Sequence, residues 1–356
     1  MAGGSGTRFW PESREKKPKQ FLQIFGKKTL LEQTVRRLKG IIPNSRILVV
    51  TQEDQVSCVK KLLRLPSAHV IGEPIGRNTA PCSALAASVI LKKDPEAVLA
   101  ILPSDHCISK EGVFERAVKA AYGIAQKTHL PVTLGIRPTF PHTGYGYLEM
   151  DRLAGQYGGC AYYRLKRFHE KPSLKKAKLF LRSKRYLWNS GMFFWRADEL
   201  LMAADRYLLG IARLIQKITA GNVKKGMHQF YAKLENISID YGLMERMKGR
   251  ILTIPVDLGW NDLGGWQGFA DLCLKENPPE RWKKDKQNNV WLGNVLSVES
   301  KGNIVKAEGR LVAMVGVENY AIIDSRDALL VCPKEQAESV RKIVQALKAK
   351  NLKQYL

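Results

Sequence analysis

Residues 97–105 read AVLAILPSD. Apolar side chains follow one another with no polar alternation, Pro103 and Ser104 break the run, and one carboxylate, Asp105, closes it. A strand with one wet face alternates; a strand covered on both faces does not. RILVVT (46–51), HVIGE (69–73) and LPVTLGI (130–136) have the same texture. Helical patterns lie between them. TLLEQTVRRL puts Leu30, Leu31, Thr34, Val35 and Leu38 on one face, and Thr29 with Glu32 makes a capping box. In NTAPCSALAASVILKKD, Asn78 or Thr79 is the N-cap and Pro81 sits in the first turn, where its missing N–H costs nothing. GVFERAVKAAYGIAQK is a third helix. This alternation implies an α/β fold, a doubly wound and mostly parallel sheet of Rossmann-like type with right-handed crossovers. Ligands then bind outside the carboxyl ends of the strands, where Asp105 stands.

The texture changes after about residue 275. Short strands with Gly- and Asn-marked turns run to DALLVCP (327–333), and a terminal helix, KEQAESVRKIVQALKAK, follows. The Pro-rich KENPPERWKKDK (275–286) marks the boundary. The expected organisation is a catalytic domain over 1–275 and a small C-terminal β/α domain over 285–356. No internal repeat is evident.

Lys and Arg number 58 against 33 Asp and Glu, a net charge of +25 that favours anionic partners. The cations are dispersed, and no RNA-binding signature accompanies them, so nucleic acid is not an expected partner. No apolar run approaches the ~20 residues needed to span a bilayer, and no signal-peptide pattern opens the chain. A cytoplasmic protein is expected, with no membrane partner and with a homodimer possible. The six cysteines are scattered singly, which fits reduced thiols better than a disulfide or zinc framework.

The chemistry-bearing residues fall in short clusters. Gly3, Gly4 and Gly6 precede Thr7 and Arg8, with Lys19 eleven residues after Arg8. Glycines let successive backbone N–H groups converge on an anion, and a guanidinium with an ammonium beside them can hold phosphates. A tight turn is the plainer alternative. Asp105 suits Mg²⁺, which takes few protein oxygens; it equally suits a helix cap. Asp257 and Asp262 flank a Gly–Trp corner in VDLGWNDLGGW. GYGY (144–147) permits close backbone approach, FHEKP (168–172) offers Glu170 to hydroxyls and Lys171 to a phosphate, and WNSGMFFW (188–195) carries Asn189. A bulge, a surface ion pair and a core amide are the respective alternatives.

Taken in order, AGGSGTRFWPESR, KPKQF, EPIGRNTAP, LPSDH, GYGY, FHEKP, WNSGMF and GWNDLGGW resemble the mannose-1-phosphate guanylyltransferase (GDP-mannose pyrophosphorylase) family, from Ala2 to Pro333. The resemblance implies transfer of GMP from GTP to α-D-mannose 1-phosphate, with Mg²⁺ as cofactor. It implies that Gly3, Gly4, Gly6 and Thr7 line the phosphate loop and that Arg8 and Lys19 hold the triphosphate. Glu73, Arg77, Asn78 and Thr79 would lie near base or ribose. Gly146, Glu170, Lys171 and Asn189 would bind the sugar phosphate, and Asp105 and Asp262 the metal. The form resembled is the short one, without a phosphomannose isomerase domain. A pyrophosphorylase for another sugar or base, and an inactive relative, are the alternatives. Family members carry a hydrophobic strand directly before the glycine loop, whereas only Met1 and Ala2 stand here. A shortened N-terminus lacking the first central strand is therefore expected, with unpaired backbone groups at ~1–3 kcal/mol each.

Overall fold

The computed structural model describes residues 1–4, 6–276 and 278–356, and element counts refer to these. Ser5 of the glycine loop and Asn277 of the Pro-rich stretch lie outside them. The helices are α1 (Leu30–Arg37), α2 (Val56–Leu63), α3 (Thr79–Leu91), α4 (Glu111–Thr128), α5 (Leu174–Ser183), α6 (Ala197–Tyr207), α7 (Ile211–Thr219), α8 (Val223–Phe230), α9 (Trp266–Lys275) and α10 (Val340–Ala349). The capping box at α1 forms: Glu32 N–H donates to Thr29 Oγ1 at 3.1 Å, and Thr29 N–H to Glu32 Oε2 at 2.8 Å. Asn78 caps α3 by accepting from Thr79 N–H at 2.9 Å. The terminal helix opens as a 3-10 turn (Lys334–Ser339) before α10. No helix among the described residues is long and apolar enough to cross a membrane.

The chain packs as two compact units. One comprises Met1–Gly3, Arg37–Pro103 and Ile108–Trp260; the other Gly4–Arg36, Ser104–Cys107 and Asn261–Leu356.

The first unit holds β1 (Val49–Gln52), β2 (Val70–Glu73), β3 (Val98–Ile101), β4 (Val132–Ile136), β5 (Tyr147–Tyr157), β6 (Cys160–His169), β7 (Tyr186–Arg196) and β8 (Leu252–Pro255). β1 and β2 form a parallel pair. The other six make one sheet in the order β3-β7-β4-β8-β6-β5. The α/β class stands, and the pairing is mixed. β4–β8 is parallel, while β7 runs antiparallel to β3, β4 and β5, and β5–β6 is an antiparallel hairpin continued to β8. Two-sided burial, which the unbroken apolar runs report, is set by the covering helices and not by strand direction. Phe193 and Trp195 of β7 join one apolar cluster with α3, α6, α7 and α8. Alternation along the strand turns Phe194 the other way, and α4 also packs against β7.

Ala2 extends the β1–β2 pair by a single bridge to β1. Its N–H donates to Val50 O at 2.8 Å, Thr51 Oγ1 donates to Ala2 O at 2.9 Å, and the Met1 amino group reaches Leu102 O at 3.0 Å. Main-chain and side-chain bonds from β1, together with the end of β3, thus set the entry to the glycine loop.

In the second unit β9 (Val290–Leu292), β11 (Ile304–Lys306) and β13 (Tyr320–Asp324) stack in parallel, as do β10 (Val295–Val298) and β12 (Val312–Val315). β14 (Leu329–Pro333) pairs antiparallel to β13. The strands were legible in the sequence; their coiling was not, because the turns between coils differ in length. Buried Asn289 and Asn303 tie successive coils together. Asn303 Nδ2 donates to Asn289 Oδ1 at 2.9 Å and to Val317 O at 2.7 Å, and Tyr320 N–H donates to Asn303 Oδ1 at 2.8 Å. Phe9, Trp10, Leu22, Trp266, Phe269, Val290, Ile304, Ile323, Val340 and Val344 share one apolar core.

Candidate active site

Of the glycine loop, Gly4, Gly6 and Thr7 belong to the second unit and Gly3 to the first. Gly6 has φ +59°, and a Cβ there would stand 2.2 Å from Lys19 Cβ, so both backbone and space demand glycine. Ser13 Oγ donates to Gly6 O at 2.7 Å. Thr7–Phe9 form a single 3-10 turn that plants Phe9 edge-on against Trp266, centroids 5.0 Å apart. Close packing at Gly6 sets the backbone of Lys19, whose ammonium donates to Asp105 Oδ2 and to Asp262 O, each at 2.7 Å. A cation only 7% exposed needs such partners. Burial pushes the Asp105 carboxyl up, but the Lys19 charge, His106 and the Lys19 hydrogen bond outweigh it and hold the group at about 2. Asp105 is therefore an anion throughout the physiological range.

Arg8 approaches the same place. A Cβ built on Gly264 would lie 3.4 Å from Arg8 Nη1 and 3.5 Å from Asp262 Oδ2. The guanidinium pairs with Glu338, both carboxylate oxygens meeting Nη1 at 2.9 and 3.1 Å. Arg8, Lys19, Asp105 and Asp262 are thus brought together. Asp257 belongs to the first unit and pairs with Lys110.

The first unit carries two further groupings. At the β2–α3 connection, buried Glu73 accepts from Tyr231 OH, and its Oε2 would lie 3.2 Å from a Cβ on Gly3. Burial raises its pKa above the ordinary carboxylate value, against the Tyr231 hydrogen bond. Arg77 donates to Ala232 O, and Thr79 Oγ1 accepts from Ile239 N–H at 2.8 Å. Glu73, Arg77, Asn78 and Thr79 therefore all have partners within the protein, although Arg77 Nε is buried with none.

The second grouping joins Gly146, Glu170, Lys171 and Asn189. A Cβ on Gly146 would stand 2.5 Å from Glu170 Oε2 and 3.3 Å from Asn189 Cβ, and Asn189 N–H donates to Gly146 O at 2.8 Å. Lys171 Nζ lies 3.1 Å from Glu170 Oε1. Burial first, then the Asp240 charge, push the Glu170 carboxyl up to about 7, with Lys171 pulling against them.

Residues 1–277 match the Nucleotidyl transferase family, and residues 293–347 match the MannoseP isomerase/GMP-like beta-helix domain. A mannose-1-phosphate guanylyltransferase 2 from Escherichia coli O157:H7 is 34% identical over 369 residues, covering 100% of this chain and 74% of its own. A mannose-1-phosphate guanylyltransferase from Klebsiella pneumoniae is 35% identical over 362 residues, with the same shares covered. This chain belongs to the mannose-1-phosphate guanylyltransferase family. A crystal structure from Thermus thermophilus, described as a mannose-1-phosphate geranyltransferase, agrees at a TM-score of 0.86, with 32% identity and 98% of each chain covered. As a family member the chain is a nucleotidyltransferase.

Residues that sequence reading passed over complete these groupings. Asp240 accepts from Asn189 Nδ2 at 2.9 Å, and Glu245 Oε1 accepts from Glu170 N–H at 2.9 Å. Asp240–Met244 form a π turn, closed by Glu245 N–H donating to Asp240 O at 2.9 Å. The π period brings residues five apart onto one side, whereas α periodicity separates them by about 140°. That spacing hid the pair. Tyr231 and Glu338 gave no signal either: one reads as a core aromatic, the other as a solvated helix charge.

Proposed function

We propose that this chain transfers GMP from GTP to α-D-mannose 1-phosphate, releasing GDP-mannose and pyrophosphate. The observation that carries this reading is the Lys19 ammonium joined at once to the Asp105 carboxylate and the Asp262 carbonyl, beside Arg8. The substrates follow from the names of the relatives at 34% and 35% identity.

A phosphate oxygen of the sugar phosphate attacks the α-phosphorus of GTP. One P–O bond forms, the bond to the β-phosphate bridging oxygen breaks, and the electron pair leaves with pyrophosphate. The nucleophile is already an anion, so no general base is required. The obstacle is repulsion between anions and charge growing on the leaving group, which positioned cations offset. Arg8 and Lys19 hold the triphosphate and receive the departing charge, while Gly3, Gly4, Gly6 and Thr7 supply backbone N–H groups. Glu73, Arg77, Asn78 and Thr79 form the base and ribose side. Gly146, Glu170, Lys171 and Asn189 orient the sugar phosphate, with Asp240 fixing the Asn189 amide.

In this reading Asp105 and Asp262 would hold Mg²⁺. Among the described residues no group of three His, Cys, Asp or Glu side chains could hold a metal, and an ion that shares its shell with phosphates and water needs few protein ligands. The ionised state of Asp105 suits the role. When bound, Mg²⁺ would neutralise phosphate charge. A cytoplasmic location belongs to the same reading, since that is where GTP is available.

The test is product analysis of purified protein with Mg²⁺, offering GTP, ATP, UTP and dTTP against several hexose 1-phosphates. GDP-mannose and pyrophosphate should form fastest from GTP with mannose 1-phosphate. A faster alternative pair, or no pyrophosphate from any, would sink the reading.

A further inference from the structure

The phosphate loop is held from the far end of the sequence. Arg8 pairs with Glu338, and Glu15 with Lys348 at 2.7 Å. Glu12 pairs with Lys306. Trp10 Nε1 and Arg14 Nη1 both donate to Tyr355 O, at 2.8 and 2.6 Å, and Arg14 Nη2 reaches Asp327 at 2.7 Å. Gly4–Arg36 and Asn261–Leu356 accordingly fall in one compact unit. The two bonds to Tyr355 O fix main chain at the C-terminus, and the others join side chains. The Arg8–Glu338 pair differs, because it engages a side chain assigned to the triphosphate.

We propose that Glu338 is a positioning residue for the nucleotidyl transfer, holding the Arg8 guanidinium away from the Asp262 carboxylate and ready for phosphate. This rests on the role of Arg8 given above. Arg8 Nη1 and Asp262 Oδ2 lie within 3.5 Å of one point over Gly264. A cation in that neighbourhood is drawn toward the carboxylate, and a second anion paired with it offsets the pull. Both Glu338 oxygens meet the single nitrogen Nη1. Nε and Nη2 remain on the other edge of the planar group, in the fork geometry that receives two phosphate oxygens. The side chains are 42% and 61% exposed, so the pair adds little to folding, and its removal leaves a protein that can be assayed.

The test is steady-state kinetics of Glu338→Ala, Glu338→Gln, Arg8→Ala and the double variant, with melting curves. Glu338→Ala should lower kcat/KM for GTP by about 10- to 100-fold, the scale of a misplaced catalytic group. KM for mannose 1-phosphate and the melting temperature should hold. Glu338→Gln, which keeps an acceptor for Nη1, should recover most of the loss. Adding Glu338→Ala to Arg8→Ala should cost nothing more, since both act through one group. Unchanged or raised kcat/KM in Glu338→Ala overturns the proposal, the raised case marking Glu338 as a competitor of phosphate. A multiplicative loss in the double variant also overturns it. Full activity in Arg8→Ala would instead overturn the role given to Arg8, and this inference with it.

Discussion

Asp105 in the second unit and Glu170 in the first each sit beside a lysine, yet their ionisation moves in opposite directions. Asp105 is held at about 2 and Glu170 is raised to about 7. Burial pushes both up. The difference lies in the company each keeps. The Lys19 side chain is 9% exposed and its charge is poorly screened, whereas Lys171 is 56% exposed and water weakens its pull. Glu170 also faces two further acids, Asp240 and Glu245. An ion pair is thus no guide to ionisation until the burial of the cation and the next nearest charges are known. The contrast suits the proposed roles: a permanent anion where a metal is to bind, and a carboxyl with a movable proton where hydroxyls are to be held.

The contrast can be broken most severely at Lys19. Lys19→Ala should lower kcat by about 10²–10³, as loss of one preorganised donor does, and should move the Asp105 carboxyl up. Steady-state rates and the acid limb of the pH–rate profile report both. Near-normal turnover in a folded variant would remove Lys19 from the mechanism.

A smaller effect is expected at Glu170. The carboxylate form accepts sugar hydroxyl hydrogen bonds, so KM for mannose 1-phosphate should fall as pH rises through about 7. The substrate phosphate, with a second pKa near 6, contributes in the same sense. Glu170→Gln should abolish the component near 7 and leave the one near 6. The stability signs are opposite for the two acids. For Glu170 the folded chain binds a proton that the unfolded chain has released, so its contribution is full below about 4.3 and declines as pH rises towards 7. For Asp105 the contribution is full above about 3.9 and is lost as pH falls through about 2. The gap between the melting temperatures of wild type and Glu170→Gln should therefore change between pH 5 and 8. A constant gap would mean that Glu170 does not titrate there.

The smallest effect sharpens the comparison by a control. Asp257 lies five residues before Asp262 and pairs with exposed Lys110, whose hydrogen bond holds its carboxyl below the usual range. Asp257→Ala should leave kcat intact and shift stability within about 0.5 kcal/mol. A large loss of turnover would mean that the wrong aspartate has been matched to Asp105.

The α/β class, the strands ending at Glu73 and near Asp105, and the caps at Thr29 and Asn78 were legible in the chain, whereas the groupings Arg8–Lys19–Asp105–Asp262 and Gly146–Glu170–Asn189 were expected only from the family resemblance. Periodicity, caps and glycines act within a few residues, so local sequence carries them. Strand direction, the coiling of residues 290–324, the π turn that aligns Asp240 with Glu245, and the pairing of Arg8 with Glu338 were decided by tertiary structure alone. Each depends on which distant segment lies alongside, and a residue's own neighbours in sequence contain no information about that. The same holds for proton affinity: Asp105 and Glu170 look alike in the chain, and only the burial of the charges around them separates an acid of about 2 from one of about 7.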